Sequence, residues 1–381
     1  MDRCYFDHNA TTPVSSEALA ALVPCLVEAF GNASSIHHYG QAAKQKLEAA
    51  RRQVASAIRA RPEEIVFTSG GTESDNLAIH GARGHVITTA IEHPAVLNTC
   101  AHLAQNSVEV TYLRPDSSGL IDPGDLRRAL RPSTTLISVI HANNELGTIQ
   151  PLGEICRIGR EAGVPVHSDG VQALGKIPID VTSLGVDLCS LSGHKVYAPK
   201  GVGALYVRQG VPLSPLLYGG HHERDRRPGT ENVPGAVAFG CAVEWAAAHL
   251  DAESARLAAL RDRIQRRLLE QLPDVAVNGA SAPRTPNTTN ICFEGIEGEA
   301  LLIALDLAGF AVSSGAACSS GAVEPSHVLL AIGLTPDRAR SSLRFSLGRS
   351  NAVEQVDALV DAVCESVARL RRLSPTYTAH A

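Results

Sequence analysis

The sequence predicts an α/β protein: a large unit built on a mostly parallel mixed sheet flanked by helices, followed by a smaller α+β unit. Three observations carry this reading. Between Pro62 and Val207, short β-rich runs alternate with helical patterns, as chains of βαβ units do. Near Pro234 the alternation gives way to a long Ala/Arg/Leu-rich helical stretch that reaches Leu272. The remaining third returns to isolated strands and helices around a Ser/Gly-rich loop.

In chain order, strands are expected at Ile65 to Thr68, His85 to Thr89, Val108 to Leu113, Leu136 to Ile140, Val164 to His167, Asp187 to Leu191 and Ala204 to Val207. Each is a short apolar run, mostly rich in β-branched residues and bounded by polar or turn residues. Pro94 to Gln105, Pro123 to Leu130 and Leu152 to Glu161 open on or beside proline and continue with helical patterning, so helices are expected between the strands. After the long helix come a strand at Asn290 to Phe293, a helix at Glu297 to Leu307, the loop Ser313 to Gly321, a strand at Ser342 to Leu347 and a terminal amphipathic helix. The domain boundary is expected inside the long helix. Residues 13–255 form the large domain, and residues 1–12 and 256–381 the small one.

Composition excludes several classes. The chain has 381 residues, 44% hydrophobic and 19% charged, with a net charge of −5 and no long basic run, so the footprint of a direct nucleic-acid binder is absent. No apolar stretch is long enough for a membrane span and the N-terminus is polar, so neither membrane nor export signal is expected. The nine cysteines are scattered without a Cys-x-x-Cys pair, which argues for a reducing cytoplasm rather than a disulfide scaffold or zinc cluster.

The chemistry-bearing residues cluster where strands end, the place where ligands gather in open α/β sheets. Ser192-Gly193-His194-Lys195 sets a lysine among small donors, an arrangement suited to Schiff-base chemistry beside a phosphate. Thr68-Ser69-Gly70-Gly71-Thr72 follows a strand and opens a helix, offering glycine backbone and a helix N-terminus to an anion. It is not a nucleoside-triphosphate loop, because no Gly-Lys-Ser/Thr follows. His93 ends another strand and suits ring stacking and proton transfer. Asp169, with Gln172 three residues on, suits a protonated pyridine nitrogen, though a helix N-cap is an equal reading. Asn144 adds an amide, Thr230 a hydroxyl, and Arg344 a guanidinium able to grip a carboxylate or to form a surface ion pair. Cys318 lies in Ser313-Ser314-Gly315-Ala316-Ala317-Cys318-Ser319-Ser320-Gly321, a loop of tiny residues expected to be mobile, where a thiol is accessible rather than packed.

These segments, together with Phe6-Asp7-His8-Asn9-Ala10-Thr11-Thr12-Pro13, Gly31 to His37 and Glu324-Pro325-Ser326-His327-Val328-Leu329, resemble nearly end to end a cysteine desulfurase of the NifS/IscS type. That family lies within the class-V aminotransferase-like, fold-type-I pyridoxal-phosphate enzymes. The Cys-bearing loop resembles the long-loop subgroup rather than the SufS-like one.

The resemblance implies a homodimer that takes L-cysteine, leaves a persulfide on Cys318 and passes it to a sulfur-acceptor protein. It implies that Lys195 carries pyridoxal 5'-phosphate and moves the proton at the substrate Cα. His93 stacks on the ring, Asp169 pairs with the pyridine nitrogen, and Asn144 and Gln172 bond the ring hydroxyl. Gly71, Thr72, Ser192 and His194 hold the phosphate, with Thr230 reaching in from the partner subunit. Asn32 and Arg344 fix the substrate carboxylate. No intrinsic metal is implied, although Cys318 is a possible ligand for a transferred iron–sulfur cluster.

The sequence departs from the family at His221 and His222, where Gly or Gln is common, and at Ala33, often a proline. The C-terminal residues 374–381 lack the extended tail with which housekeeping members are thought to meet their scaffold, so the acceptor stays open among iron–sulfur assembly, tRNA thiolation, cofactor synthesis and DNA sulfur modification. Transamination or selenocysteine lysis on the same fold, and a catalytically dead scaffold, are the competing readings.

Overall fold

The computed structural model describes residues 3–314, 324–373 and 377. Seven strands form one sheet in the spatial order Ile65–Thr68, Gly203–Val207, Leu188–Ser192, Val166–Asp169, Thr134–Ser138, His85–Thr89, Glu109–Leu113. Neighbours run parallel except Gly203–Val207, which is antiparallel to both strands beside it. The reason is local. Residues 193–202 are too few for the crossover of about a dozen residues that a parallel return needs. Most strands are buried at every position, because helices cover both faces of the sheet. The expected strands are all present, displaced by no more than a few residues.

Helices Ser16–Val27 and His38–Ala57 pack along Val233–Ala248 and close the large hydrophobic cluster through Leu47, Val54 and Phe239. The long helix expected from Pro234 to Leu272 is in fact two. Val233–Ala248 and Leu250–Gln271 meet at a 75° bend. His249 makes the break: its backbone leaves the helical region, its ring stacks on Trp245 at 4.0 Å, and its Nδ1 lies 2.8 Å from the Trp245 carbonyl. The first helix buries itself against the large cluster. The second lays Leu257, Leu260, Ile264 and Leu268 on a separate one.

That second cluster is built on a three-stranded antiparallel sheet, Ser342–Ser346, Thr288–Phe293, Val275–Asn278. Helices Gly298–Leu307 and Val353–Leu373 pack with it, and Phe6 from the N-terminus joins the cluster. Val275–Asn278 was not expected. The N-terminal strand Cys4–Tyr5 pairs in parallel with Phe310–Ala311, and Asp7 bridges to Ser346, so both N-terminal elements sit on this smaller unit. Their cover buries the strand Ser342–Ser346 at every position, and Arg344 is therefore not the surface arginine that the alternating pattern allowed. Among the described residues no single helix is long and apolar enough to cross a membrane.

Candidate active site

The carboxyl ends of the parallel strands open into a cavity of about 280 Å³ whose lining comes from distant parts of the chain. Val166–Asp169 ends on Asp169. Leu188–Ser192 ends on Ser192 and continues into the tight turn Gly193–Lys195. Ile65–Thr68 leads through Gly70 into the helix Gly71–Ile79. Asp169, Ser192, His194, Lys195, Gly71 and Thr72 all line the cavity, as do His93, Asn144, Gln172 and Arg344.

One end of the cavity suits a dianion. A Cβ on Gly71 would stand 2.8 Å from Val171 Cγ2, so only glycine lets the chain pack this closely. The first amides of the helix Gly71–Ile79 lack intrahelical partners and offer their positive end. Ser192 Oγ is buried without a hydrogen-bond partner, which is an energetic liability unless a ligand meets it. His194 Nδ1 lies 3.1 Å from Thr11 Oγ1, and burial with Lys195 nearby lowers its pKa to about 4. A neutral His194 offers the cavity one N–H or one lone pair rather than a positive charge.

The middle of the cavity suits an aromatic nitrogen heterocycle. Asp169 is buried and takes the Val171 N–H at 2.9 Å. Burial raises its pKa, opposed by His93 and Lys195. His93 caps the helix Pro94–Gln105, its Nδ1 accepting from the Ala95 N–H at 3.1 Å. That bond puts the ring proton on Nε2, and burial lowers the His93 pKa. Lys195 Nζ donates to the carbonyls of Asn9 and Ala10, each at 2.6 Å. Burial, reinforced by the Arg344 charge, brings the Lys195 pKa down to about 8. A free amine is thereby available near neutrality, as imine formation requires.

At the far end Arg344 donates to Asp7 Oδ1 at 2.7 Å and to the Asn144 carbonyl at 3.0 Å, and its Nε is buried unpartnered. Ser313 exchanges backbone hydrogen bonds with Arg344. Ser326 donates to Glu145, and His327 Nε2 donates to the Glu92 carbonyl at 3.0 Å. The described residues on both sides of the segment 315–323 are therefore tied to this site. Cys318 itself lies outside the described residues.

Two expected residues do not line the cavity within one chain. Asn32 is exposed, its Oδ1 accepting from the Ser34 N–H at 2.9 Å. Thr230 is exposed and lines a separate depression with Arg227 and Asn232. Conversely, Asn9 and Asp75 line the cavity, and sequence reasoning assigned neither. Asp75 lies three positions beyond Thr72 on one helix, a spacing that places both on one face. For Asn9 the sequence held no chemical signal, because its carbonyl rather than its side chain meets Lys195 and Gln172.

The unpartnered Ser192 hydroxyl, the Gly71 cradle, the buried Asp169 and the low-pKa lysine together fit pyridoxal phosphate. The comparisons agree. A match to the aminotransferase class-V family spans residues 4–359, and the chain belongs to that family. It is 49% identical over 378 residues to the cysteine desulfurase IscS of Methanosarcina thermophila, covering 97% of this chain and 93% of that one. A solved NifS-like protein superposes with a TM-score of 0.90 at 36% identity, over 97% of this chain and all of its own length. The structure of SspA in complex with cysteine has a TM-score of 0.81 at 40% identity, over 90% of this chain and 98% of that one. The chain is a pyridoxal-phosphate-dependent enzyme of the cysteine desulfurase kind.

Proposed function

We propose that the enzyme removes sulfur from L-cysteine, releases L-alanine, and holds the sulfur as a persulfide on Cys318 before passing it to an acceptor protein. The observation that carries this reading is the convergence on one cavity of a low-pKa lysine, a buried aspartate, a neutral histidine and a buried arginine, with Ser313, Ser326 and His327, described residues on either side of Cys318 along the chain, bonded to residues in or beside that cavity. Pyridoxal phosphate, when bound, withdraws electron density from the substrate Cα and weakens the bond to sulfur.

The chain's own residues do the rest. Lys195 holds the cofactor and moves a proton at the substrate Cα. Asp169 keeps the pyridine nitrogen protonated, and His93 packs against the ring as a neutral base. Gly71, Thr72, Ser192 and His194 hold the phosphate, and Asn144 and Gln172 meet the ring hydroxyl. Arg344 takes the substrate carboxylate, which competes with Asp7 for the same guanidinium. Cys318, as thiolate, attacks the substrate sulfur; the Cβ–S bond breaks with its electron pair passing to carbon, which takes up a proton on the way to alanine.

We further infer a homodimer. Large apolar side chains are exposed together on the N-terminal segment, among them Leu26, Val27, Phe30 and Ile36, and such a patch marks an interface. It would bring Thr230 of one protomer to the phosphate of the other. The division at residues 255/256 is supported by the two separate hydrophobic clusters. A reducing, cytoplasmic setting fits the free thiols Cys25, Cys100 and Cys189. Two of the solved relatives, SspA and the Streptomyces lividans DndA, share the fold without naming this chain's acceptor.

The test is incubation with L-cysteine, quantifying alanine and weighing the peptide that contains Cys318. One added sulfur is expected on the wild type and none on Cys318→Ser, which should keep its bound yellow cofactor. Sulfide release from cysteine undiminished in that variant would sink the reading and favour another reaction on the same cofactor.

A further inference from the structure

Lys176 is a buried amine that the roles above leave unused. It is 8% exposed and lies four residues beyond Gln172 in the turn that follows Asp169. Its amine meets amide oxygens rather than a carboxylate: Nζ donates to Gln172 Oε1, and to Asn9 Oδ1 at 3.2 Å. Burial and the Lys195 and Arg344 charges lower its pKa well below the ordinary lysine value, and both contacts spend N–H donors that the neutral amine also has. The atom of each amide that faces it must therefore be oxygen, and the NH₂ group must lie on the other side.

The surrounding bonds follow from that constraint. Gln172 Nε2 donates to the Asn9 carbonyl at 2.9 Å, leaving its second N–H for the cavity it lines. Asn9 Oδ1 also accepts from Asn287 Nδ2 at 3.0 Å, while Asn9 Nδ2 donates to the Asn144 carbonyl at 3.0 Å and to Thr288 Oγ1 at 2.8 Å. The same Asn9 carbonyl takes Lys195 Nζ at 2.6 Å. One amine thus sets the orientation of two amides that border the catalytic lysine. Without it, Gln172 can turn over and present its carbonyl oxygen where a donor is needed.

We propose that Lys176 is a positioning residue for the electron-rich ring oxygen of the cofactor, acting by fixing the Gln172 amide so that Nε2, not Oε1, faces the cavity. This rests on the reading that Gln172 meets the ring hydroxyl. The test is a double-mutant cycle with Lys176→Met, Gln172→Ala and the pair. It reads the dissociation constant of pyridoxal phosphate and the absorption maximum of the bound cofactor, with folding checked by circular dichroism. Lys176→Met is expected to weaken binding about tenfold and to shift the maximum, and to change binding by less than about twofold when Gln172 is already alanine. If Lys176→Met does not fold, Lys176→Leu, which likewise removes the donor, replaces it under the same criteria. An equal loss in both backgrounds, or no loss in either, overturns the proposal. If Gln172→Ala alone moves neither quantity, the assignment of Gln172 falls instead.

Discussion

Lys195 shows how a side chain acquires chemistry from its surroundings. An exposed lysine holds its proton far above neutrality, whereas here burial and the Arg344 charge bring the pKa to about 8. Capture of the cofactor aldehyde needs the neutral amine, so its rate on cofactor-free protein should climb with pH and level off above about 8. In Arg344→Gln the neighbouring like charge is gone, and the midpoint should move up toward the ordinary lysine range. Stopped-flow absorbance across a pH series checks both, and an unmoved midpoint would remove Arg344 as a cause.

Glu92 behaves in the opposite sense. It is fully buried, its Oε1 accepts from Thr89 Oγ1 and the Ile140 N–H, and burial raises its pKa from 4.5 to about 8. The folded chain keeps a proton that the unfolded chain gives up, so this group's contribution to stability declines as pH rises from about 4.5 to about 8 and then levels. Glu92→Gln, permanently neutral, should flatten that decline in urea melts taken at the two ends of the window. A decline of unchanged size would mean that other groups cause it.

At the scale of elements, the turn that precedes Thr230 is held by force. Glu223, Arg224 and Asp225 have φ of 45°, 57° and 64°, a left-handed run costing about 1–2 kcal/mol per residue. Arg51 offsets it from the helix His38–Ala57, donating to both Glu223 oxygens at 2.7 Å, while the Phe67 N–H donates to Glu223 Oε2 at 2.8 Å. Both side chains are 3% exposed. The loop is thereby tied to the strand Ile65–Thr68, which also leads into the glycine turn of the phosphate end. Glu223→Ala should destabilise the chain by about 3 kcal/mol, because it removes both carboxylate bonds of a buried guanidinium and leaves it only Glu48 and the Ile65 carbonyl. The pair Arg51→Met with Glu223→Leu should lose much less. Denaturant midpoints measure the difference.

Elements were legible where their signals were local. A short β-rich run followed by Gly, Ser or Asp marks a strand end, and Lys195, Asp169, His93 and Gly71 were found that way. The break at His249 was not legible, since helix-favouring residues flank it without glycine or proline and the bend follows from which core each half meets. Nor was Val275–Asn278, four residues whose identity as a strand depends on the partner Thr288–Phe293. The alternation in Ser342–Ser346 was read correctly as a strand. Which of the two readings of Arg344 holds was not legible, because the residues that cover the strand come from the N-terminus.

For the molecule as a whole, the exposed apolar side chains on the N-terminal segment are a feature that the described residues of a single chain leave unexplained. Phe30 stacks on Tyr39 with ring centroids 5.4 Å apart, both of them exposed. Phe30→Asp with Tyr39→Ser should give a monomer in light scattering and loosen cofactor retention, because Thr230 would no longer be delivered across the interface. A monomeric wild type would defeat this prediction outright.

The sequence by itself determined the fold class, through its family resemblance the cofactor, and most of the residues that line the cavity, because strand ends, glycine turns and helix caps are written in adjacent letters. Only the tertiary structure decided that Asn9 and Lys176 stand beside Lys195, that Arg344 is buried against Asp7, and that the two helices part at His249. Those facts depend on contacts between segments far apart along the chain, where packing and burial, not local pattern, choose the neighbours and set the pKa values.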